Sequence, residues 1–182
     1  MLYDIALSVA ACVRSGTRAD VAWMVSPIAS DQALALTPGG GRIGRLAFGA
    51  FDGLLTDAAA RHLSTGRLVN HVVSEMESPI CELPAGTAVQ FLVVPAEQFP
   101  SQTWSLLLDH SPLIVIASMS EDMVTAINVE ASGVDARPLV NVERDSITTV
   151  LVPTPRLIIA GGGPIAEALA AQAALMKWKV AI

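Results

Sequence analysis

The stretch that most constrains the fold is PRLIIAGGGPIAEALAAQAALMKWKVAI, residues 155–182. An apolar run, RLIIA, meets three glycines. An alanine-rich stretch follows, and then a second short apolar run, KWKVAI. Gly161, Gly163 and Ala166 spell G-x-G-x-x-A. Pro164 falls in the first turn of the expected helix, where a missing N–H costs little. Strand, glycine turn, helix and strand are the setting in which this pattern opens a Rossmann-like unit, its glycines letting helix N-terminal amides approach a pyrophosphate. The dinucleotide fingerprint also needs an acidic residue roughly 20 positions on, to hold the ribose. That count lands on Ala181, next to the final Ile182. The stretch therefore reads as a C-terminally truncated, partial Rossmann-like βαβ segment, and NAD(P) is not expected to bind this form. Two strands and one helix cannot bury a doubly wound core. The alternative is a glycine turn kept only for close helix–strand packing.

The rest of the chain is rich in strand patterns. Hydrophobic residues make up 52% and charged ones 15% of 182 residues, which suits a well-filled core built from Ala, Val, Leu and Ile. DVAWMVS (20–26), QALALT (32–37), RLVNHVVSE (67–75), TAVQFLVVP (87–95), PLIVIASM (112–119) and MVTAINVE (123–130) read as strands. ARPLVNVE and SITTVLVP read as two more. Leu2, Ile5, Ala6, Val9, Ala10 and Val13 recur at helical spacing, so the N-terminus is expected to be an amphipathic helix ending near Gly16. Asp4 stands where a signal peptide would carry basic residues, and the expectation is a cytoplasmic protein. Residues 51–66 read as a helix capped by Asp52, with Leu54, Leu55, Ala58, Ala59 and Leu63 as its stripe and Gly66 as its stop. A further short helix is expected at 100–111, with PGGGRIG (38–44) as a turn and SPICELPAG (78–86) as a loop. PTP at 153–155 marks the expected boundary between an N-terminal mixed α/β domain, 1–152, and the segment 153–182.

The net charge of -6, with no basic run, argues against nucleic-acid binding. No stretch reaches the ~18 apolar residues of a membrane span. Cys12 and Cys81 form neither a metal-type pair nor a disulfide framework. Cys12, on the apolar side of the first helix, reads as inert core; Cys81, in a loop, reads as a soft ligand or sulfur carrier or else as an ordinary cysteine. Arg42 and Arg45 in GGGRIGR suggest either an anion-binding nest or a plain hairpin turn with solvated arginines. His62, His71 and His110 show no ligand pairing, and no nucleophile–base, P-loop or zinc motif is present.

Taken in order, GRIGRLAFGAFDGLLTDAAARHLSTG, the Cys81 loop, VQFLVVP and PRLIIAGGGPIAEALAAQAALMKWKV resemble the XdhC/CoxI family, accessory proteins of xanthine dehydrogenase and carbon monoxide dehydrogenase. The resemblance implies a non-catalytic maturation or chaperone role. Such a protein receives molybdenum cofactor (molybdopterin), assists its sulfuration and inserts it into a molybdenum hydroxylase apo-enzyme, with a sulfurtransferase as a further partner. It is expected to be a homo- or hetero-oligomer. The candidate cofactor-binding residues are Arg42, Gly44, Arg45, Gly49, Asp52 and Cys81, with Gly161, Gly163 and Ala166 in the second segment. The chain departs from the family's G-S-I-S-G-G-C-V-E-G at GRLAFGAFDG, where Ala50 takes the Cys position and Asp52-Gly53 keep the acidic-Gly ending. CELPAG replaces a Cys-Gly-Gly, VSPIAS (25–30) an early Gly-Ser-x-Pro-Arg, and Pro164 a His, which makes this a divergent relative. The alternatives are an NAD(P)-binding oxidoreductase-like protein and a non-catalytic structural partner subunit.

Overall fold

A computed structural model describes residues 2–27, 32–61, 64–133, 136–176 and 178–182. The protein is mixed α/β and divides into two compact units, Met1–Val152 and Pro153–Ile182.

In the larger unit the elements run α1 (Leu2–Arg14), β1 (Asp20–Ser26), β2 (Ala33–Leu36), β3 (Arg42–Arg45), α2 (Asp52–Arg61), β4 (Arg67–Val72), α3 (Ser78–Cys81), β5 (Ala88–Pro95), α4 (Gln102–Leu108), β6 (Leu113–Ser120), β7 (Met123–Ala131), β8 (Leu139–Val142) and β9 (Ser146–Leu151). Among the described residues these nine strands form one sheet ordered β3-β2-β1-β5-β4-β7-β6-β9-β8, every pair antiparallel. β4 and β7 are in register only at Arg67 and Met123. The Leu68 N–H donates to the Asp122 carbonyl at 2.7 Å and the Val124 N–H to the Gly66 carbonyl at 2.8 Å. The sheet therefore bends at this corner into a five-stranded half and a four-stranded half.

Both halves contribute one face to a common core. Val21, Trp23, Val25, Leu92 and Val94 share it with Leu113, Val115, Ala117, Val124, Ile127 and Ile147, and with Ile5, Ala6 and Val9 of α1. The Trp23 indole N–H donates to Thr149 Oγ1 at 3.2 Å, linking the two halves. The opposite face of the five-stranded half packs Ala22, Met24, Leu34, Leu36, Val89, Phe91 and Val93 against Leu46, Phe51, Leu55 and Ala59. The central strands are thus buried on both faces, which is why ALAL and VAWMV carry no polar alternation. Each large side chain so buried contributes about 2 kcal/mol.

Several sequence expectations change. Residues 38–44 do not form only a turn, because Arg42–Arg45 is an edge strand pairing Ala33 with Arg45 through Leu36 with Arg42. A four-residue strand that is exposed except at its half-buried Ile43 leaves no periodic signal. The expected loop at 78–86 begins with the helical turn α3, which contains Pro79. Helix α2 is described to Arg61; His62 and Leu63, read as part of it, lie outside the described residues, as do Ile28, Ala29 and Ser30 of VSPIAS. Gly66 is a contact residue rather than a helix stop: a Cβ there would lie 3.0 Å from Gln98 Oε1, the Val93 carbonyl and Val94 Cγ2. Cys12 is half-buried, packed against the first core.

The smaller unit is β10 (Arg156–Ile158), α5 (Pro164–Leu175) and β11 (Lys179–Ala181). The two strands are parallel, with Leu157 opposite Val180, so this is a βαβ unit. Gly161 and Gly163 hold φ of +123° and +96°, which is why glycine stands there. Among the described residues, chain neighbours aside, nothing lies within 4 Å of where a Cβ would stand at Gly161, Gly162 or Gly163, so close packing against them is not the reason for the glycines.

Candidate functional site

Edge strand β3 and the start of α2 are joined by an unusual turn. Ala47, Phe48 and Gly49 in succession take left-handed backbone conformations, φ +45°, +56° and +88°. Left-handed alanine and phenylalanine cost roughly 1–2 kcal/mol each, and such strain concentrates at ligand clamps. The Ala47 N–H is held by Gln32 Oε1 at 2.7 Å. Below this turn Arg42 Nη1 donates to Asp52 Oδ2 at 2.7 Å. The guanidinium side is half-exposed, so the pair positions the carboxylate more than it stabilises the fold. The second oxygen, Asp52 Oδ1, is buried and has no hydrogen-bond partner among the described residues. An unsatisfied buried acceptor costs about 1–3 kcal/mol until a donor reaches it. Gly49 lies over this carboxylate, its virtual Cβ 3.5 Å from Asp52 Oδ2. Arg45 is exposed and has no ion-pair partner among the described residues. Gly44, at φ +89°, allows β3 to approach β2 and α1.

Helix α3 packs against Ala47–Gly49, so the structure brings Cys81 and the 42–52 turn into one layer although they are distant in sequence. Cys81 is only 7% exposed, in a cluster with Ala47, Phe51, Val73 and Val89, and its Sγ lies 3.9 Å from the Ser78 carbonyl. The thiol faces the core, which does not fit direct ligation of a bound group. Gly161, Gly163 and Ala166 belong to the smaller unit, where Gly163 precedes α5 and Ala166 is buried on it.

The structure adds a pair that sequence reasoning missed. His71 Nε2 lies 3.0 and 2.9 Å from the two oxygens of Glu77, and the N–H and hydroxyl of Ser74 each donate to Glu77 Oε2 at 2.8 Å. Phe51 meets the His71 ring edge-on at 5.6 Å. Burial pushes the Glu77 carboxyl upward, but the hydrogen bonds from His71 and Ser74 outweigh it and bring its pKa down to about 2. A depressed folded-state pKa gives stability that is full above the ordinary value of 4.5 and is lost as pH falls toward 2. Glu77→Gln is therefore expected to lower stability by about 1 kcal/mol near neutrality. In thermal melts its difference from the parent should close between pH 4.5 and 2; a difference that persists there counts against the linkage. A strand residue paired with the turn six residues on has no periodic signature.

On one flank of α2 a cavity of about 300 Å³ is lined by Leu36, Pro38, Thr56, Ala59 and the Arg18–Asp20 pair. Arg18 Nε and Nη2 each donate to Asp20 at 3.0 Å, and Nη2 also reaches the Ala59 carbonyl at 3.1 Å. Among the described residues no group of three or more His, Cys, Asp or Glu is placed to hold a metal ion, and no helix is long and apolar enough to cross a membrane.

No family model matches the chain. No curated protein matches it either. A crystal structure described as a xanthine dehydrogenase from Bacillus halodurans matches with a TM-score of 0.62 and 15% identity over 96% of this chain. The chain spans about 60% of the length of that structure's chain. At this identity the likeness is one of fold.

Proposed function

We propose that the chain is an accessory protein of a molybdenum hydroxylase, and that it holds a molybdopterin-type cofactor at the 42–52 turn for transfer to the apo-enzyme. The observation that carries this reading is the orphaned acceptor Asp52 Oδ1 beneath a strained turn, flanked by Arg42 and the unpaired Arg45. A pterin presents ring N–H and amino donors, which suit a buried carboxylate oxygen, and its phosphate suits an arginine. The ordered resemblance to XdhC/CoxI proteins and the fold likeness to the Bacillus halodurans structure support the same reading. The redox chemistry belongs to the cofactor in the hydroxylase; here Asp52 and Arg42 orient and Arg45 neutralises charge. A sulfurtransferase and the apo-hydroxylase are the partners this role requires, in the cytoplasm.

The test is purification from a molybdopterin-producing host and fluorescence assay of the retained, oxidised pterin. The parent is expected to retain it, and Asp52→Ala and Arg45→Ala to lose it about tenfold, equivalent to about 1.4 kcal/mol. Cys81→Ser should keep retention, because the thiol is buried in the core. Absence of pterin from the parent would sink the proposal. A second reading, an NAD(P)-binding protein, is favoured by the open space over Gly161–Gly163; failure of NAD(P)H fluorescence to change at about 1 mM removes it.

A further inference from the structure

A polar groove lies between α2 and β4, with a volume of about 370 Å³. Arg61 from the last turn of α2 and Arg67 from the first residue of β4 line it, with Asp57 and Asp122 beside them and Leu54 and Leu68 in its wall. Arg67 sits at the corner of the sheet, where its backbone is in register with both Val93 and Met123 and is so held on two sides. Its Nε is buried and has no hydrogen-bond partner among the described residues. Neither arginine forms an ion pair among the described residues, although Asp57 stands one helical turn before Arg61.

We propose that this groove binds a small organic phosphate bearing hydroxyl groups, with Arg61 and Arg67 taking the phosphate. A guanidinium N–H buried without an acceptor is costly, and a phosphate oxygen is an acceptor whose geometry suits the guanidinium fork. Two guanidinium groups match the charge of a phosphate ester, whereas one carboxylate calls for only one. Asp57 and Asp122 bring the formal charge of the lining to zero, so a bare anion meets repulsion as well as attraction. Hydroxyls on the ester turn those carboxylates into hydrogen-bond acceptors, and the apolar wall takes the carbon skeleton. The volume is within the range of small-ligand clefts, which begins near 300 Å³.

Calorimetric titration of the full chain tests this with ribose 5-phosphate, ribose, inorganic phosphate and serine as probes. Ribose 5-phosphate is expected to bind with a Kd below about 1 mM, ribose not at all, and inorganic phosphate about tenfold more weakly. Arg61→Ala, at the exposed end of α2, should weaken binding about tenfold with no change in melting temperature. Arg67→Lys keeps the charge but lacks the Nε donor, and should weaken it as much. Arg45→Ala should leave this binding intact, which separates it from the 42–52 site. The proposal is overturned if ribose 5-phosphate does not saturate at about 10 mM. It is overturned equally if ribose binds as well, if an amino acid such as serine binds better, or if both arginine substitutions leave the affinity unchanged.

Discussion

Replacing Arg18 by alanine is expected to cost about 3 kcal/mol at neutral pH, the price of leaving a buried carboxylate without its partner. Asp20 opens β1 with its side chain 5% exposed, and both carboxylate oxygens are taken by Arg18. Burial already pushes the Asp20 carboxyl above its ordinary 3.8, against the hydrogen bond and charge of Arg18, with Glu97 adding to the rise. Without Arg18 both lowering influences vanish and the carboxyl rises further. A folded-state pKa above the unfolded one means the ionised form is disfavoured by folding, so stability is greatest in acid and declines as pH rises through the folded-state value. The Arg18→Ala deficit, measured by urea midpoints, should therefore shrink as pH is lowered from 7 toward 3.8. Adding Asp20→Asn to Arg18→Ala should recover part of it at neutral pH. A deficit that is the same at every pH would show that the loss comes from contacts of Arg18 other than the Asp20 pair, such as that with the Ala59 carbonyl.

How much of this was legible in the sequence follows from where each signal resides. The spacing of Leu2, Ile5, Ala6 and Val9 gave α1, because a helix facing a core must repeat its apolar residues at that interval. The apolar runs of β1 and β5 are readable because strands buried on both faces drop polar alternation, and β6 because its buried positions recur at every second residue. Residues 42–53 and Cys81 could be singled out, but not that α3 seats Cys81 beneath the 47–49 turn with its thiol inward. That follows from the packing of α3 against residues about 30 positions earlier in the chain. The orphaned Asp52 Oδ1 and Arg67 Nε are likewise products of packing between elements far apart in sequence, and no local pattern encodes them. Gly66 looked like a helix stop because a glycine after an apolar stripe usually is one; here the sheet corner needs the missing Cβ.

A graded glycine series provides the sharpest test of how β3 is held. Gly39→Ala should be nearly neutral, since among the described residues, chain neighbours aside, its Cβ meets nothing within 4 Å. Gly40→Ala has the same open space but a φ of +78°, so it should show the left-handed cost alone, about 1 kcal/mol. Gly44→Ala carries that cost at φ +89° and also places a Cβ 2.5 Å from the Ala33 carbonyl oxygen and 2.6 Å from Ile5 Cγ2. Ile5 is 1% exposed in the core under α1, and Ala33 lies in β2, paired on its other side with β1. Neither can yield without opening the sheet or lifting the helix, so overpacking adds to the backbone strain and the total should exceed about 3 kcal/mol. Because β3 carries Arg42 and Arg45, the function proposed for the 42–52 turn requires any Gly44→Ala protein that still folds to retain less pterin than Gly40→Ala does. Equal urea midpoints for the Gly40 and Gly44 variants would mean that β3 rides farther from α1 than the Ile5 contact requires, and that the turn above Asp52 is not braced from below.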